Sequence, residues 1–390
     1  MRQIGNATIY QGAALAVLRG LPSESVHCVV TSPPYYGLRS YLADGHEDKG
    51  QEIGLEPTPD AFIAELVAVF REVRRVLRDD GTLWLNIGDS YAMSTKGSSG
   101  KGEKQLTNAG TQIEDRRWRI PTGVKAKDLI GIPWMLAFAL RADGWYLRQE
   151  IIWHKPNPMP ESVTDRCTKA HESLFLLSKR PTYYYDAAAI KEPSVRPGDV
   201  QTFGGEKARS GIIDENDPRF RNGSEQWGRV LTCGETRNKR SVWTVPTQPY
   251  SGAHFATFPP EIPRCCIRAS TSERGACPQC GCQWRRIGKG NINRTIGWEP
   301  TCKCGISETV APLVLDPFSG AGTTALVACQ LGRRAIGIEL SAEYVALSEK
   351  RIEQGAAQNV MHLTEDDSLQ PETDVDAAET DCGDLFTESE

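Results

Sequence analysis

The chain has 390 residues and a mass of 43.0 kDa, which is enough for two or three ordinary domains with full hydrophobic cores. Hydrophobic residues make up 39% and charged residues 24%, with a mean hydropathy of -0.41, and this composition excludes a disordered or fibrous protein. No stretch reaches the roughly 18 consecutive apolar residues of a membrane span, and the amino terminus lacks the basic and then apolar pattern of a signal peptide. We therefore expect a cytoplasmic protein with no membrane partner.

The net charge of -5 is unevenly distributed along the chain. Residues 365–390 contain eleven acids and no Lys or Arg, so the remainder of the chain carries a net charge of +6. Because such a segment cannot bury a core, we predict that 359–390 is an acidic disordered tail. The basic remainder is compatible with a nucleic-acid partner.

The order of the predicted elements indicates an α/β fold with a mainly parallel sheet and no internal repeat. In chain order, they are a strand at 26–31, a helix from about 60 to 77, a strand at 81–87, a helix near 132–141, strands at 146–153 and 173–178, a strand at 313–316, a helix from about 322, a strand at 335–339 and a helix at 342–352. Two polar segments interrupt this pattern. Residues 94–127 hold eight Lys or Arg against three acids, as in a solvated surface loop or a mobile loop that contacts phosphates. Residues 186–253 are suited to an insert that recognises the substrate.

The segment from Asp316 to Thr324, DPFSGAGTT, lies directly between a predicted strand and a predicted helix. Its glycines allow the backbone to approach a ligand closely, and Glu339, at the end of the next strand, can accept hydrogen bonds from both hydroxyls of a ribose. An isolated turn of this kind is usually only a tight turn, but the register of strand, turn, helix and terminal acid indicates a nucleoside site. The spacing differs from the loops that bind dinucleotides and ATP.

The first predicted strand ends in Thr31-Ser32-Pro33-Pro34-Tyr35. The two prolines fix the backbone and remove N–H donors, which leaves rigid carbonyl acceptors. Ser32 and the Pro33 carbonyl can accept both protons of an amino group, while Tyr35 can stack on a planar ring. The alternative is an ordinary proline turn at the end of a strand.

Seven of the twelve cysteines lie between Cys265 and Cys304, which indicates a metal site more than crosslinks. The ligands of a four-thiolate zinc ribbon over 272–310 are predicted to be Cys277, Cys280, Cys302 and Cys304, with Cys282 as the main rival. The ribbon could be a purely structural staple or could carry Trp284, Arg285 and Arg286 toward DNA. The remaining cysteines that we interpret as small core residues are Cys28, Cys265, Cys266 and Cys329.

Two motifs together give the chain a clear resemblance to a known family. TSPPY resembles the catalytic motif, and DPFSGAG the cofactor motif, of S-adenosyl-L-methionine (AdoMet)-dependent DNA amino-methyltransferases, which methylate N4 of cytosine or N6 of adenine. The catalytic motif comes first, which is the permuted order of the family's β group. Further likeness extends over 153–162, 171–179 and 254–262, so that most of residues 1–358 is covered.

The resemblance implies a Rossmann-like methyltransferase domain with the following parts: a catalytic half at 1–185, a target-recognition insert at 186–253, a cofactor-closing helix at 254–271, the zinc ribbon at 272–310 and an AdoMet-binding half at 311–358. It places AdoMet against Asp316, Phe318, Gly320, Gly322 and Thr323, with Glu339 on the ribose, and makes Ser32, Pro33, Pro34 and Tyr35 the catalytic turn. One departure is Gln11-Gly12-Ala13, where the family often has an acid that contacts the cofactor.

The lone pair of an aromatic amine is delocalised into its ring, so acceptors at Ser32 and Pro33 would have to localise it before in-line attack on the AdoMet methyl group. The base would be flipped out of duplex DNA and stacked on Tyr35. Methylation of cytosine C5 is disfavoured, because it needs a cysteine nucleophile and the chain has no Pro-Cys motif. We expect His154 and His171 to be packed or hydrogen-bonding residues without acid–base roles. Whether Trp153 and Lys155 face the flipped base or the cofactor stays open.

Serine at position 32 is more typical of N4-cytosine enzymes in this family, and Asp or Asn of N6-adenine enzymes. We therefore predict site-specific N4-cytosine methylation, with N6-adenine methylation as the alternative. An inactive zinc-ribbon DNA-binding protein is the alternative from another class, and methylation of RNA or of a protein amide is disfavoured by the motif order. A separate restriction endonuclease would be a fitting partner, and the chain could be a monomer or a homodimer.

Overall fold

The computed structural model describes residues 1–37, 40, 42–43, 45–92, 123–198, 200–202, 230–232, 234–248, 258–288 and 295–366. The strands are β1 (Arg2–Ile4), β2 (Ala7–Gln11), β3 (Val26–Thr31), β4 (Leu77–Ile87), β5 (Tyr146–His154), β6 (His171–Ser178), β7 (Glu192–Pro193), β8 (Val200–Thr202), β9 (Val230–Thr232), β10 (Thr236–Arg237), β11 (Val242–Thr244), β12 (Arg285–Gly288), β13 (Thr295–Glu299), β14 (Leu313–Asp316) and β15 (Arg334–Glu339). The α-helices are α1 (Ala14–Arg19), α2 (Pro59–Val76), α3 (Ile132–Ala142), α4 (Glu261–Ser270), α5 (Thr323–Gln330) and α6 (Ala342–Asp366), and two short 3₁₀ helices cover Glu47–Gln51 and Ala187–Ile190.

Nine strands form one mixed sheet in the order β1-β2-β15-β14-β3-β4-β6-β5-β11. The central strands from β2 to β4 are parallel, whereas β6 is antiparallel to both of its neighbours. The other six strands pair in three small antiparallel ribbons, β7 with β10, β8 with β9 and β12 with β13. The prediction of an α/β fold with a mainly parallel sheet is confirmed.

Successive side chains of a buried strand point to opposite faces of the sheet, so that both faces carry apolar side chains. Helices accordingly pack on both faces. Along β3, Val29 joins the core beneath α1, α2 and α3, whereas Cys28 and Val30 join the core beneath α4, α5 and α6. The stripe on α2 that faces the sheet consists of Phe62, Leu66, Val69, Phe70 and Val73. This helix begins where Thr58 accepts a hydrogen bond from the Ala61 N–H and Pro59 fills the first turn.

The two central strands, β14 and β3, are neighbours from opposite ends of the chain. From β14 the chain passes through α5 to β15 on one side, and from β3 it passes through α2 to β4 on the other. The carboxyl edge of the sheet, where these parallel strands end, therefore has its topological switch point between β14 and β3, a place that we call the central crevice. In open α/β sheets this switch point is where ligands bind.

The predicted elements match the structure closely, with two differences. Strand β4 begins at Leu77 and not at Gly81, because the charged Asp79 and Asp80 have cationic partners in Arg180, Lys179 and Arg78 and are tolerated in the strand. Helix α6 extends to Asp366, beyond the predicted end at Ile352 and into the predicted tail, since many of the added residues are good helix formers.

Several predictions fall on residues outside the described ranges. They concern 94–122 of the basic loop, 199, 203–229, 233 and 249–253 of the insert, 254–257 of the cofactor-closing segment, 289–294 of the predicted zinc ribbon and 367–390 of the tail. Among the described helices, none combines the length and the apolar character that crossing a membrane requires.

Candidate functional site

The central crevice brings the two sequence motifs side by side. Thr31, the last residue of β3, donates a hydrogen bond of 2.7 Å from Oγ1 to Oδ1 of Asp316, the last residue of β14. The same Asp316 oxygen accepts the Phe318 N–H at 3.1 Å. Thr324, at the start of α5, donates to the Val30 carbonyl at 3.2 Å. The catalytic-type turn and the glycine loop are thus fixed to each other at the ends of adjacent strands.

Glycine is favoured at two positions of the loop, 320 and 322, for different structural reasons. Both adopt left-handed backbone conformations, with φ of +48° at Gly320 and +76° at Gly322. A Cβ atom on Gly322 would lie 2.7 Å from the Ser348 Cβ on α6, so this position permits the close packing of α5 against α6. A Cβ atom on Gly320 would meet no described atom within 4 Å, so that position faces open space.

Glu339 ends β15 beside the glycine loop, as the sequence predicted. Its carboxylate accepts the Gly320 N–H at 2.9 Å and the Ser341 N–H at 2.8 Å, and its backbone carbonyl accepts the Gly12 N–H at 2.9 Å. Burial raises the pKa of the Glu339 carboxyl. Gln11-Gly12, where the sequence departs from the family pattern, therefore lies next to Glu339 at the same edge of the sheet.

Asp316 is 1% exposed, and burial raises its pKa to about 6. Oδ1 accepts from Thr31 and Phe318, but Oδ2 is buried without a hydrogen-bond partner among the described residues. The nearby Thr324 hydroxyl donates its hydrogen bond to the Val30 carbonyl. A buried carboxylate oxygen of this kind is suited to a ligand that donates a proton or carries positive charge.

Phe318 and Thr323 are brought into the crevice, but their side chains contact other parts of the protein. The Phe318 ring packs edge-on against Phe70 of α2, with 6.4 Å between centroids. The Thr323 hydroxyl accepts a hydrogen bond of 2.8 Å from Arg351 of α6 and is 4% exposed. Both residues therefore support the shape of the loop.

In the catalytic-type turn, Pro33 is buried and Ser32, Pro34 and Tyr35 are partly exposed. The Tyr35 hydroxyl donates to Glu172 Oε2 at 2.7 Å, and Glu172 also pairs with Lys155. Sequence reasoning missed Glu172, although it singled out the segment 171–179 that contains it. The available signal was an acid at the start of a buried apolar strand.

The structure also locates three residues near the catalytic-type turn, Trp153, His154 and Lys169. Trp153 is 3% exposed and donates to the Val245 carbonyl at 2.8 Å, so it belongs to the core. His154 pairs with Thr244 at 3.1 Å between Nδ1 and Oγ1, in agreement with a hydrogen-bonding role. Burial lowers the pKa of Lys169, which lies close to Asp89 and Glu172.

A second candidate site lies at the opposite edge of the sheet. The ligand atoms of Cys277, Cys280, Cys302 and Cys304 all lie within 4.8 Å of one another. Tetrahedral zinc with Zn–S bonds of about 2.3 Å would place its sulfurs about 3.8 Å apart, so the four thiols fit this metal. Cys282 is not in the group, and its Sγ lies 3.9 Å from the Arg78 guanidinium. Of the four cysteines interpreted as core residues, Cys28, Cys265 and Cys266 are buried and Cys329 packs against the core.

The cysteine cluster is attached to the amino ends of the central strands. His27, near the start of β3, lies 3.0 Å from the Gly281 carbonyl through Nε2 and accepts the Leu313 N–H of β14 at 3.0 Å through Nδ1. Burial lowers the pKa of His27 to about 4, in keeping with a neutral ring that donates at one nitrogen and accepts at the other. The cluster is therefore on the side of the sheet away from the central crevice.

The arginines of the ribbon have partners within the protein. Arg285 donates to Glu299 at 2.7 Å, and Arg286 donates to Asp186 at 2.9 Å and Glu273 at 2.6 Å. The Arg286 guanidinium also lies 4.4 Å from the centre of the Trp298 ring. Arg286 is thus held among these partners with its side chain 15% exposed, whereas that of Arg285 is 70% exposed.

Comparison with known proteins shows which protein family the chain resembles. A family model described as DNA methylase, for the N6 and N4 methyltransferases, matches residues 26–350. The type II methyltransferase M.XycI of Xanthomonas campestris pv. cyanopsidis is 43% identical over 357 residues, which cover 92% of this chain and 91% of the relative. M.SmaI of Serratia marcescens is 41% identical, with coverage of 88% and 90%.

Among solved structures, the PvuII DNA methyltransferase, described as cytosine-N4-specific, is similar in fold. Its TM-score is 0.51 at 16% identity, and the match covers 92% of this chain and 94% of that one. The expectation raised by the two motifs is confirmed at the level of the family. With a family model over most of its length and relatives above 40% identity, the chain belongs to the N6/N4 family of DNA methylases.

Proposed function

We propose that this protein transfers a methyl group from AdoMet to N4 of cytosine at specific sites in duplex DNA. The observation that carries the proposal is the contact between Thr31 and Asp316, which sets the amine-binding turn beside the glycine loop. Proximity and orientation supply much of the rate of such a transfer.

The residues of the crevice fit AdoMet. The unpaired Oδ2 of Asp316 suits the α-ammonium of the methionine part, and Glu339 suits the ribose hydroxyls, which can use its remaining lone pairs. The open space beside Gly320 allows close approach of the cofactor to the backbone. AdoMet supplies an electrophilic methyl group on a sulfonium.

The protein's part in the transfer is to hold and polarise the amine. Ser32 and the carbonyl of buried Pro33 accept hydrogen bonds from its two N–H groups, which localises the nitrogen lone pair for in-line attack. Tyr35 stacks on the flipped base, whose extrusion from the duplex gives access to N4. Serine at position 32 supports cytosine over adenine as the target.

We assign the permuted catalytic half to residues 1–185, target recognition to 186–253, the cofactor-closing helix to 254–271 and the AdoMet-binding half to 311–358. A separate cognate endonuclease is a fitting partner, since relatives such as M.XycI are named type II methyltransferases. For Cys277, Cys280, Cys302 and Cys304 we propose a structural zinc ion. It would brace the amino ends of β3 and β14 through the contacts of His27.

Transfer of tritiated methyl groups from AdoMet to unmethylated duplex DNA tests this function. Ser32→Ala should lose most of the turnover but keep AdoMet affinity, because Ser32 contacts the base. Ser25→Ala is the matched control, since Ser25 precedes the same strand and its side-chain hydroxyl donates to the Pro22 carbonyl, away from the turn. Full turnover by Ser32→Ala would refute the assigned role of the turn.

A further inference from the structure

Glu172 is a partly buried carboxylate that accepts from three hydrogen-bond donors beside the catalytic-type turn. Its carboxylate accepts the Tyr35 hydroxyl at 2.7 Å and the Asn86 amide at 3.2 Å, and it pairs with the Lys155 ammonium. The Glu172 side chain is 15% exposed and that of Lys155 is 18% exposed. An acceptor-only group with these donors fixes their directions, because hydrogen bonds to charged partners are strong in such surroundings.

The ring of Tyr35 is confined on another side by Gly88, just beyond the end of β4. A Cβ atom on Gly88 would lie 2.5 Å from Cε2 and 3.0 Å from Cδ2 of Tyr35. Glycine at this position is therefore required for the observed place of the ring. Asn86, two residues earlier, lies 3.4 Å from the Tyr35 hydroxyl through Oδ1 and also donates to the Ser173 carbonyl at 3.3 Å.

We propose that Glu172 is a positioning residue for methyl transfer, which holds the Tyr35 ring in the orientation that receives the flipped base. Lys155 balances the charge of Glu172, and Gly88 leaves room for the ring. Because the Tyr35 ring is already ordered when the base arrives, the binding and transfer steps do not include the entropic cost of ordering it. The inference rests on the proposed function, because it presumes that a base stacks on Tyr35.

Activity of Tyr35→Phe, Glu172→Ala and the double variant tests this coupling. Each single change should lower kcat about tenfold with the KM for AdoMet unchanged, since small displacements of a positioning group are costly. The double variant should lose no more than either single variant, because both changes break the same hydrogen bond. Glu172→Gln, which keeps an acceptor oxygen, should recover to within about threefold of wild type.

A matched control is Glu150→Ala, because Glu150 is an acid of the neighbouring strand β5 whose carboxylate accepts from the Ser173 hydroxyl at 2.8 Å. It should leave kcat unchanged. Multiplicative losses in the double variant, or a kcat of Glu172→Ala within about twofold of wild type, would overturn the proposal.

A substrate-free measurement separates this proposal from the proposed function. With 3-fluorotyrosine at position 35, the ¹⁹F resonance should shift and broaden in Glu172→Ala and in Gly88→Ala, but not in Glu150→Ala. An unchanged resonance in the first two variants would overturn the positioning role whatever the activity. If wild-type protein methylates no base, the proposed function fails, while the ¹⁹F comparison still decides whether Glu172 orders the ring.

Discussion

Thr31 and Asp316 are 285 residues apart in the chain and are joined by a buried hydrogen bond of 2.7 Å. The bond links the strand that leads into the SPPY turn to the strand that leads into the glycine loop. Because Asp316 also accepts the Phe318 N–H, a single carboxylate orders both parts of the crevice. The relative position of cofactor and base would therefore depend on this contact.

Replacing Thr31 by valine removes the donor and leaves the Asp316 carboxylate with one partner fewer. We expect Thr31→Val to lower the free energy of unfolding by about 1–3 kcal/mol, the usual effect on a buried acceptor, and to weaken AdoMet binding. Urea denaturation and calorimetric titration measure the two effects. Thr82→Val is the matched control, because its equally buried hydroxyl bonds Ser270 away from the crevice. Equal losses of AdoMet affinity in both variants would argue against a specific role for Thr31.

The two loop glycines should respond differently to alanine. Gly322→Ala places a Cβ atom 2.7 Å from Ser348 and should destabilise the protein by about 1–3 kcal/mol through overpacking and backbone strain. Gly320→Ala also strains the backbone, because φ is +48° there, but its methyl group enters open space, where the cofactor is proposed to lie. It should therefore destabilise the protein less than Gly322→Ala and raise the Kd for AdoMet more. Thermal unfolding and AdoMet titration distinguish them. The reverse pattern would place the cofactor elsewhere.

AdoMet binding should depend on pH through Asp316, whose pKa burial raises to about 6. If the ionised carboxylate receives the α-ammonium, only about a tenth of the protein is competent at pH 5, and the apparent Kd should rise about tenfold over that at pH 8. Asp316→Asn should bind weakly and with little change between these pH values. A pH-independent Kd in wild type would contradict the assigned contact.

The same raised pKa has an opposite effect on the stability of the cofactor-free protein. A carboxyl with a pKa higher in the folded than in the unfolded chain stabilises the fold below pH 4, and this contribution is lost as the pH rises through 6. Asp316→Asn should therefore increase the free energy of unfolding at pH 8, by at most about 3 kcal/mol, and change it little at pH 4. Urea denaturation at the two pH values checks the sign.

The sequence alone predicted four of the five central strands, β3, β4, β14 and β15, because buried apolar runs such as 26–31 and 313–316 are bounded by proline or glycine turns, but it did not predict β2. It also placed Glu339 beside the glycine loop, since parallel strands end at a common edge. The pairing of Glu172 with Tyr35 could not be found in this way. The contact joins residues 137 positions apart through an antiparallel strand, and neither spacing nor composition encodes such a pair.

The location of the cysteine cluster also required the structure. Spacing selected the four cysteines that lie together, but it did not show that His27 attaches their segment to the amino ends of the central strands. The ribbon is therefore on the side of the sheet opposite the crevice, and its arginines pair with acids of the same protein.

Loss of the metal should destabilise the fold without changing the crevice chemistry. We expect about one zinc per chain by elemental mass spectrometry, and Cys302→Ser should lose the metal and lower the Tm by several degrees, because structural zinc contributes folding energy. Cys282→Ser, outside the cluster, should keep both metal and Tm. Metal-free wild-type protein of unchanged stability would rule out the structural zinc site.

The identity of the methylated base tests the central claim most directly. Purified protein is incubated with AdoMet and unmethylated bacterial DNA, and the digested nucleosides are separated by mass spectrometry. We expect N4-methylcytosine, without C5-methylcytosine, because the chain presents a Ser-Pro-Pro-Tyr turn and no Pro-Cys nucleophile. N6-methyladenine would contradict the assignment of cytosine to Ser32, and the absence of any methylated base would contradict the proposed activity.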